Sequence, residues 1–187
     1  RKTVGEVYDQ IVRDLDEAEK YFLMLPKEKQ LKIINAGFEY FGRYGYKGAN
    51  TEDIANKAGI SKGALFYYFK NKESFYLYLH EFCQNQTRKY KGMKSPVFTI
   101  TIITDFFERI HFATEQKLKI IAEYPFITDF SINAVSDKSS GLSKQWASYM
   151  NDALYNSFDI YFRNIDTAKF KKDVNPKQIY QMMLWMS

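Results

Sequence analysis

The chain has almost no cysteine. Cys83 is the only one in 187 residues, so no internal disulfide framework can form. That usage fits a reducing cytoplasm. Histidine is nearly as scarce, with only His80 and His111. His80 and Cys83 stand three apart and share a helix face, but further ligands at metal-site spacing are missing, so no metal site is expected. No apolar run approaches the roughly 18–20 residues of a membrane span. The N-terminus is charged and amphipathic and lacks the apolar stretch of a signal peptide. There is no G-x-G-x-x-G and no phosphate-binding G-x-x-x-x-G-K-[ST] loop. These gaps argue against an enzyme: no catalytic residue and no cofactor are expected. Internal repeats and low-complexity tracts are also lacking.

What the chain does have is helical periodicity, and the predicted class is all-α. Residues 4–25 form an amphipathic segment, with Val4, Val7, Tyr8, Ile11, Leu15, Ala18, Phe22 and Leu25 at spacings of three and four, closed by Pro26. Leu31, Ile34, Phe38 and Phe41 mark a second helix that stops near Gly42–Gly48. A long helix is predicted from about Lys72 past Gln84, with Phe75, Leu79 and Phe82 inward. Residues 97–113 are read as one helix, and Leu118, Ile121 and Ala122 mark another, broken at Pro125. Residues 136–143 read as a loop, 144–163 as an amphipathic helix, and Asn175-Pro176 as the start of a last helix.

Positive charge is concentrated. Lys27 to Lys72 holds nine Lys/Arg against four Asp/Glu, while the rest of the chain carries 18 of each, so the whole net charge of +5 sits in that segment. A local basic surface draws a protein toward phosphate. The same segment contains TEDIANKAGISKGALFYYFKNKE at residues 51–73. Thr51 is a suitable N-cap, with Glu52 and Asp53 in the first turn, where the helix dipole favours acids. Ile54, Ala55 and Ala58 face inward, Gly59 supplies the left-handed terminus, and Ile60 buries in the turn. Ser61 caps a second helix with Leu65 and Phe69 on its apolar face. This is the grammar of a helix-turn-helix, whose second helix enters the major groove N-terminus first. Lys62, Gly63, Phe66 and Tyr67 form the outward face. Lys62 can donate to guanine or phosphate, and Gly63 lets the backbone come close. Tyr67, Tyr68 and Lys72 can reach phosphates.

ISKGALFYYFKNKE resembles the recognition helix and its sequel in TetR-type transcriptional regulators, and the likeness extends back through LKIINAGFEYFGRYGYKGANTEDIANKAG. Such membership implies an N-terminal DNA-binding domain, here 26–72, followed by a larger helical ligand-binding and dimerisation domain, here 73–187. It implies a homodimer on a palindromic double-stranded operator, usually a repressor, released by a small-molecule effector. By position, Thr51, Ser61, Lys62, Gly63, Ala64, Phe66, Tyr67, Tyr68 and Lys72 take the DNA-contacting places. Phe66 stands where Tyr is usual and Tyr68 where His is usual. The aromatic and Met-rich later half has two readings, a pocket for an apolar or aromatic effector and ordinary core packing. Its pocket candidates are Phe107, His111, Phe126, Trp146, Met150 and Phe158, with Arg109 and Glu108 as possible polar anchors. The family usually finishes with two long dimerisation helices, and this sequence stops at Ser187, inside the first. Residues 1–25 are then either an N-terminal extension or a stand-in for the final helix. The alternative function is a helical interaction module without DNA binding.

Overall fold

The computed structural model describes residues 20–88, 102–136, 162–175, 178, 179 and 182. Every regular element among them is helical, as the sequence periodicity requires. The longer helices are α1 (Lys27–Gly48), α2 (Thr51–Ala58), α3 (Lys62–Phe69), α4 (Lys72–Arg88), α5 (Phe106–Glu123) and α6 (Ile127–Ser136). A single 3-10 turn covers Thr167–Lys169. The predicted loop over 137–143, the predicted helix over 144–161 and most of the predicted last helix lie outside the described residues.

Local chemistry sets most of the helix ends. Pro26 precedes α1, which is kinked at Gly45, whose φ of 69° and ψ of 177° suit only glycine. Asn71 caps α4 by accepting from Ser74 N at 2.8 Å. The predicted single helix over 97–113 is corrected. Residues 103–105 are not helical, and α5 starts at Phe106 because the Asp105 carboxylate takes the N–H groups of Phe107 (2.9 Å) and Glu108 (3.1 Å). From there α5 runs unbroken through Leu118 and Ala122, so the two predicted helices are one. The break at Pro125 is as expected, and α6 begins two residues later.

The described residues gather into two compact units, 20–86 with 120–136, and 87–88 and 102–119 with those from 162 onward. In the first, Ile33, Phe38 and Phe41 of α1, Ile54 of α2, Leu65 and Phe69 of α3, Phe75 and Leu79 of α4 and Phe130 of α6 are all buried. Each such side chain contributes roughly 1.5–3 kcal/mol on leaving water. Phe41 shows how the layers meet: its ring lies 5.9 Å from Phe75, 5.0 Å from Tyr76 and 6.5 Å from Phe130. Glu39, on α1, is buried and ion-paired to Arg43 (2.9 Å) and to Lys57 of α2 (3.1 Å), which ties those two helices together.

His80 and Cys83 are both buried on α4. Burial raises the thiol to about 12, with Ser131 Oγ 3.9 Å from its sulfur. Among the described residues no three His, Cys, Asp or Glu side chains gather as a metal site. Burial lowers the His80 imidazole to about 4. The folded value lies below that of the unfolded chain, about 6.5, so the neutral ring stabilises the fold fully above pH 6.5. That stability is lost as pH falls toward 4, by about 1.4 kcal/mol per pH unit. Urea unfolding at pH 7 and pH 4.5 should show the loss, and a His80→Phe variant should show a smaller one. An equal loss in both proteins would remove His80 from the explanation.

The second unit has its own small core. Phe106 packs its ring 5.3 Å from Phe162 and 5.3 Å from Phe170. Arg109 is fully buried beside it and donates from Nε to Ile103 O (2.8 Å) and from Nη1 to Arg163 O (2.7 Å). Asp105 and Lys169 pair at its edge.

Candidate nucleic-acid interface

The two helices of residues 51–69 are built almost wholly from local signals. One detail differs from the sequence reading: Asn50, not Thr51, caps α2, its Oδ1 accepting from Glu52 N at 2.9 Å. Thr51 is the first helical residue and is buried. Asn is among the strongest N-caps, so the signal stood one residue earlier in the sequence. Gly59 ends α2 with φ 71°, while its N–H donates to Asn56 O (3.1 Å) and that of Ile60 to Ala55 O (3.0 Å). Ile60 is only half-buried. Ser61 Oγ accepts from Ala64 N at 3.1 Å and opens α3, as its place in the sequence predicts. Lys70 closes it with φ 57°.

Leu65 and Phe69 anchor α3, both fully buried. That fixes what faces out: Lys62, Gly63 and Tyr67 are exposed, while Ala64, Phe66 and Tyr68 are half-buried. Tyr67 presents 64% of its surface, its ring 5.6 Å from Tyr68 and 5.6 Å from Tyr21. Tyr68 leans instead on the buried Phe22 at 6.2 Å. Phe22 also meets Phe69 (5.1 Å) and Tyr78 (5.3 Å). The described end of the N-terminal segment thus packs on α3 and α4. Residues 4–19 lie outside the described residues, and with them any pairing with the C-terminal helix.

The cations have distinct settings. Lys62 Nζ lies 3.5 Å from Glu52 Oε2 across the α2–α3 turn. Lys72 is half-buried; its Nζ donates to Lys47 O (3.2 Å) near the end of α1 and sits 5.1 Å over the Tyr46 ring. Burial lowers its pKa. In this chain it clasps α4 to α1, and among the described residues two of its three N–H donors are left for other acceptors. Sequence reasoning overlooked that clasp and the pairing of Glu52 with Lys62, because both depend on a partner beyond the local turn.

The pocket candidates are not gathered by the described residues. Phe107 is 74% exposed, and His111 is exposed with Nε2 3.6 Å from Glu115 Oε1. The inward places on α5 belong to Phe106 and Arg109, three residues apart on one face, which turns Phe107 and Glu108 outward. Arg109, read as a polar anchor, has its guanidinium engaged by backbone carbonyls. Phe126 belongs to the first unit, under the Arg43 guanidinium at 5.0 Å. Trp146, Met150 and Phe158 lie outside the described residues.

Comparison with known proteins falls on this same region. Residues 33–79 match the sequence pattern of "Bacterial regulatory proteins, tetR family". The HTH-type transcriptional regulator RutR of Escherichia coli (strain K12) is 41% identical over 49 residues, 26% of this chain and 23% of that protein. The fatty acid metabolism regulator protein of Bacillus subtilis (strain 168) is 36% identical over 53 residues, 28% of this chain and 27% of that protein. The chain thus spans about a quarter of the length of the curated relatives it matches. In fold, it is similar to the TetR family transcriptional regulator PfmR of Thermus thermophilus, with a TM-score of 0.55 and 19% identity over 83% of this chain and 81% of that one. The helix-turn-helix, capped and seated in this way, lies within residues 33–79, the part of the chain that carries the pattern of the tetR family of bacterial regulatory proteins.

Proposed function

We propose that this protein is a ligand-responsive transcriptional regulator, acting as a repressor in the cytoplasm. It binds a palindromic operator as a homodimer and is released by a small apolar or aromatic effector. The observation that carries the reading is the outward face of α3, where Lys62, Gly63 and Tyr67 stand exposed on a helix pinned by Leu65 and Phe69. A helix presented N-terminus first, with a cation and a bare backbone in its first turn, fits a major groove. Thr51, Ser61, Ala64, Phe66, Tyr68 and Lys72 border that face and complete the proposed contact set. The excess positive charge of Lys27–Lys72 supplies the attraction to phosphate. Among the described residues no helix is long and apolar enough to cross a membrane.

Fluorescence anisotropy on DNA from upstream of the protein's own gene tests the reading. Affinity should fall steeply with salt, because phosphate contacts release counterions. Lys62→Ala should weaken binding by roughly tenfold. Tyr67→Ala should weaken binding with the slope unchanged, since the phenol is neutral. Circular dichroism should be unaltered in both. Failure to enrich any sequence from genomic DNA would reject the regulator, and unfolding of either variant would return its residue to the core. Light scattering at twice the mass of the chain would support the dimer.

A further inference from the structure

Glu52 is an oddity on a surface otherwise suited to DNA. It stands in the first turn of α2, with its backbone N–H held by Asn50 Oδ1 at 2.9 Å. Its neighbours Thr51, Ile54 and Ala55 are buried, so its carboxylate projects outward. Oε2 lies 3.5 Å from Lys62 Nζ, the cation of the first turn of α3, and the two side chains are 56% and 45% exposed. A pair so open contributes at most about 1 kcal/mol to the fold. Near phosphates an added carboxylate is repelled, unless it meets a hydrogen-bond donor.

In the major groove such donors are the amino groups of cytosine and adenine. Adenine sets its amino group beside the N7 acceptor, which repels a carboxylate. Cytosine offers the donor alone, and its paired guanine presents O6 and N7 next to it, the acceptors a lysine seeks. The donor and acceptor edges of one C·G pair therefore match a carboxylate and an ammonium held side by side. We propose that Glu52 and Lys62 act together as a base-reading pair: Glu52 accepts from a cytosine amino group while Lys62 donates to the guanine paired with it. Glu52 then also works by exclusion, since every base other than cytosine sets at least one acceptor before it, which is how charged groups create specificity. This inference rests on the DNA-binding reading above.

The test is selection from a pool of double-stranded DNA with a randomised core, using the full chain and its Glu52→Gln and Glu52→Ala variants. Wild type should prefer C·G at one position of each half-site by roughly tenfold. Glu52→Gln should lose that preference and gain one for A·T there, because an amide pairs with adenine through both a donor and an acceptor. Glu52→Ala should lose it without replacement. Preferences elsewhere in the site should stay within about twofold, and melting temperatures should shift by no more than a few degrees, because the capped backbone N–H survives both substitutions and the open ion pair adds at most about 1 kcal/mol. If wild type enriches a site and Glu52→Gln enriches the same bases at every position, the inference is overturned while the DNA-binding reading stands. A uniform change at all positions also overturns it, since that is the signature of a charge acting at a distance. If wild type enriches nothing, both fall.

Discussion

Replacing Gly63 by leucine should leave the free protein as stable as before, or more so, and should weaken DNA binding by roughly five- to 150-fold. Gly63 is exposed, and a Cβ built there would meet nothing nearer than Ser61 Oγ at 3.8 Å. The folded chain therefore gives no steric reason for glycine. Glycine in a helix costs about 1 kcal/mol relative to alanine, so a larger residue should stabilise α3 by part of that amount. What the fold tolerates, the proposed interface would not. An isobutyl group would wedge the first turn of α3 away from the groove, and overfilling a close-packed contact costs about 1–3 kcal/mol, or five- to 150-fold. Thermal melting and anisotropy measured on the same preparation would show the two effects moving apart. Unchanged affinity would mean that the first turn of α3 does not lie against DNA.

The largest loss of stability is expected from Phe38→Ala. The ring is fully buried on α1 and is shared by three neighbours: Phe130 of α6 at 5.1 Å, Phe82 of α4 at 6.1 Å and Tyr124 at 6.2 Å. These elements cannot close on the space left behind without breaking their own ring contacts, such as Phe82 with Tyr124 at 5.1 Å. Deleting a buried phenylalanine costs about 3–5 kcal/mol, a large share of a typical total of about 5–15 kcal/mol. In urea the midpoint should drop while the slope is kept. A drop below about 1 kcal/mol would mean that the site collapses freely and that α1, α4 and α6 are more loosely joined than these contacts imply.

Phe38 also shows where sequence reading succeeds. Leu31, Ile34, Phe38 and Phe41 lie at helical spacing, so an inward face was evident. The partners of that face were not: Phe130 lies far along the chain, on α6. The same division runs through the candidate site. Gly59, Ser61, Leu65 and Phe69 take their predicted roles, because a cap, a left-handed terminus and an apolar stripe are set within about four residues. Thr51 was assigned the cap because it opens the acidic turn, yet Asn50 before it holds the free N–H. Reading 97–113 as one helix followed the apolar period and overlooked the competing claim of Asp105 on the same N–H groups.

Side-chain engagement was less legible. Lys72 looked like a free phosphate contact until Lys47 O, 25 positions earlier, was seen to accept from it. Tyr67 gained Tyr21 as a neighbour from a segment that reads as separate. Phe107 and His111 looked like pocket residues because they sit among aromatics, but the period of α5 gives the inward places to Phe106 and Arg109. Burial of Arg109 is not visible in the sequence, since one of the carbonyls that make a buried guanidinium tolerable, that of Arg163, comes from 54 positions away.

By itself, then, the sequence determined the all-helical class, the glycine end of α2, the serine cap of α3 and the cationic face proposed to meet DNA, all products of interactions that act over one helical turn. The tertiary structure decided which of the exposed-looking cations and rings are already engaged: Lys72 by α1, Tyr67 by Tyr21, and Lys62 by Glu52. That choice depends on where distant turns of chain come to rest against one another, and no local pattern encodes it.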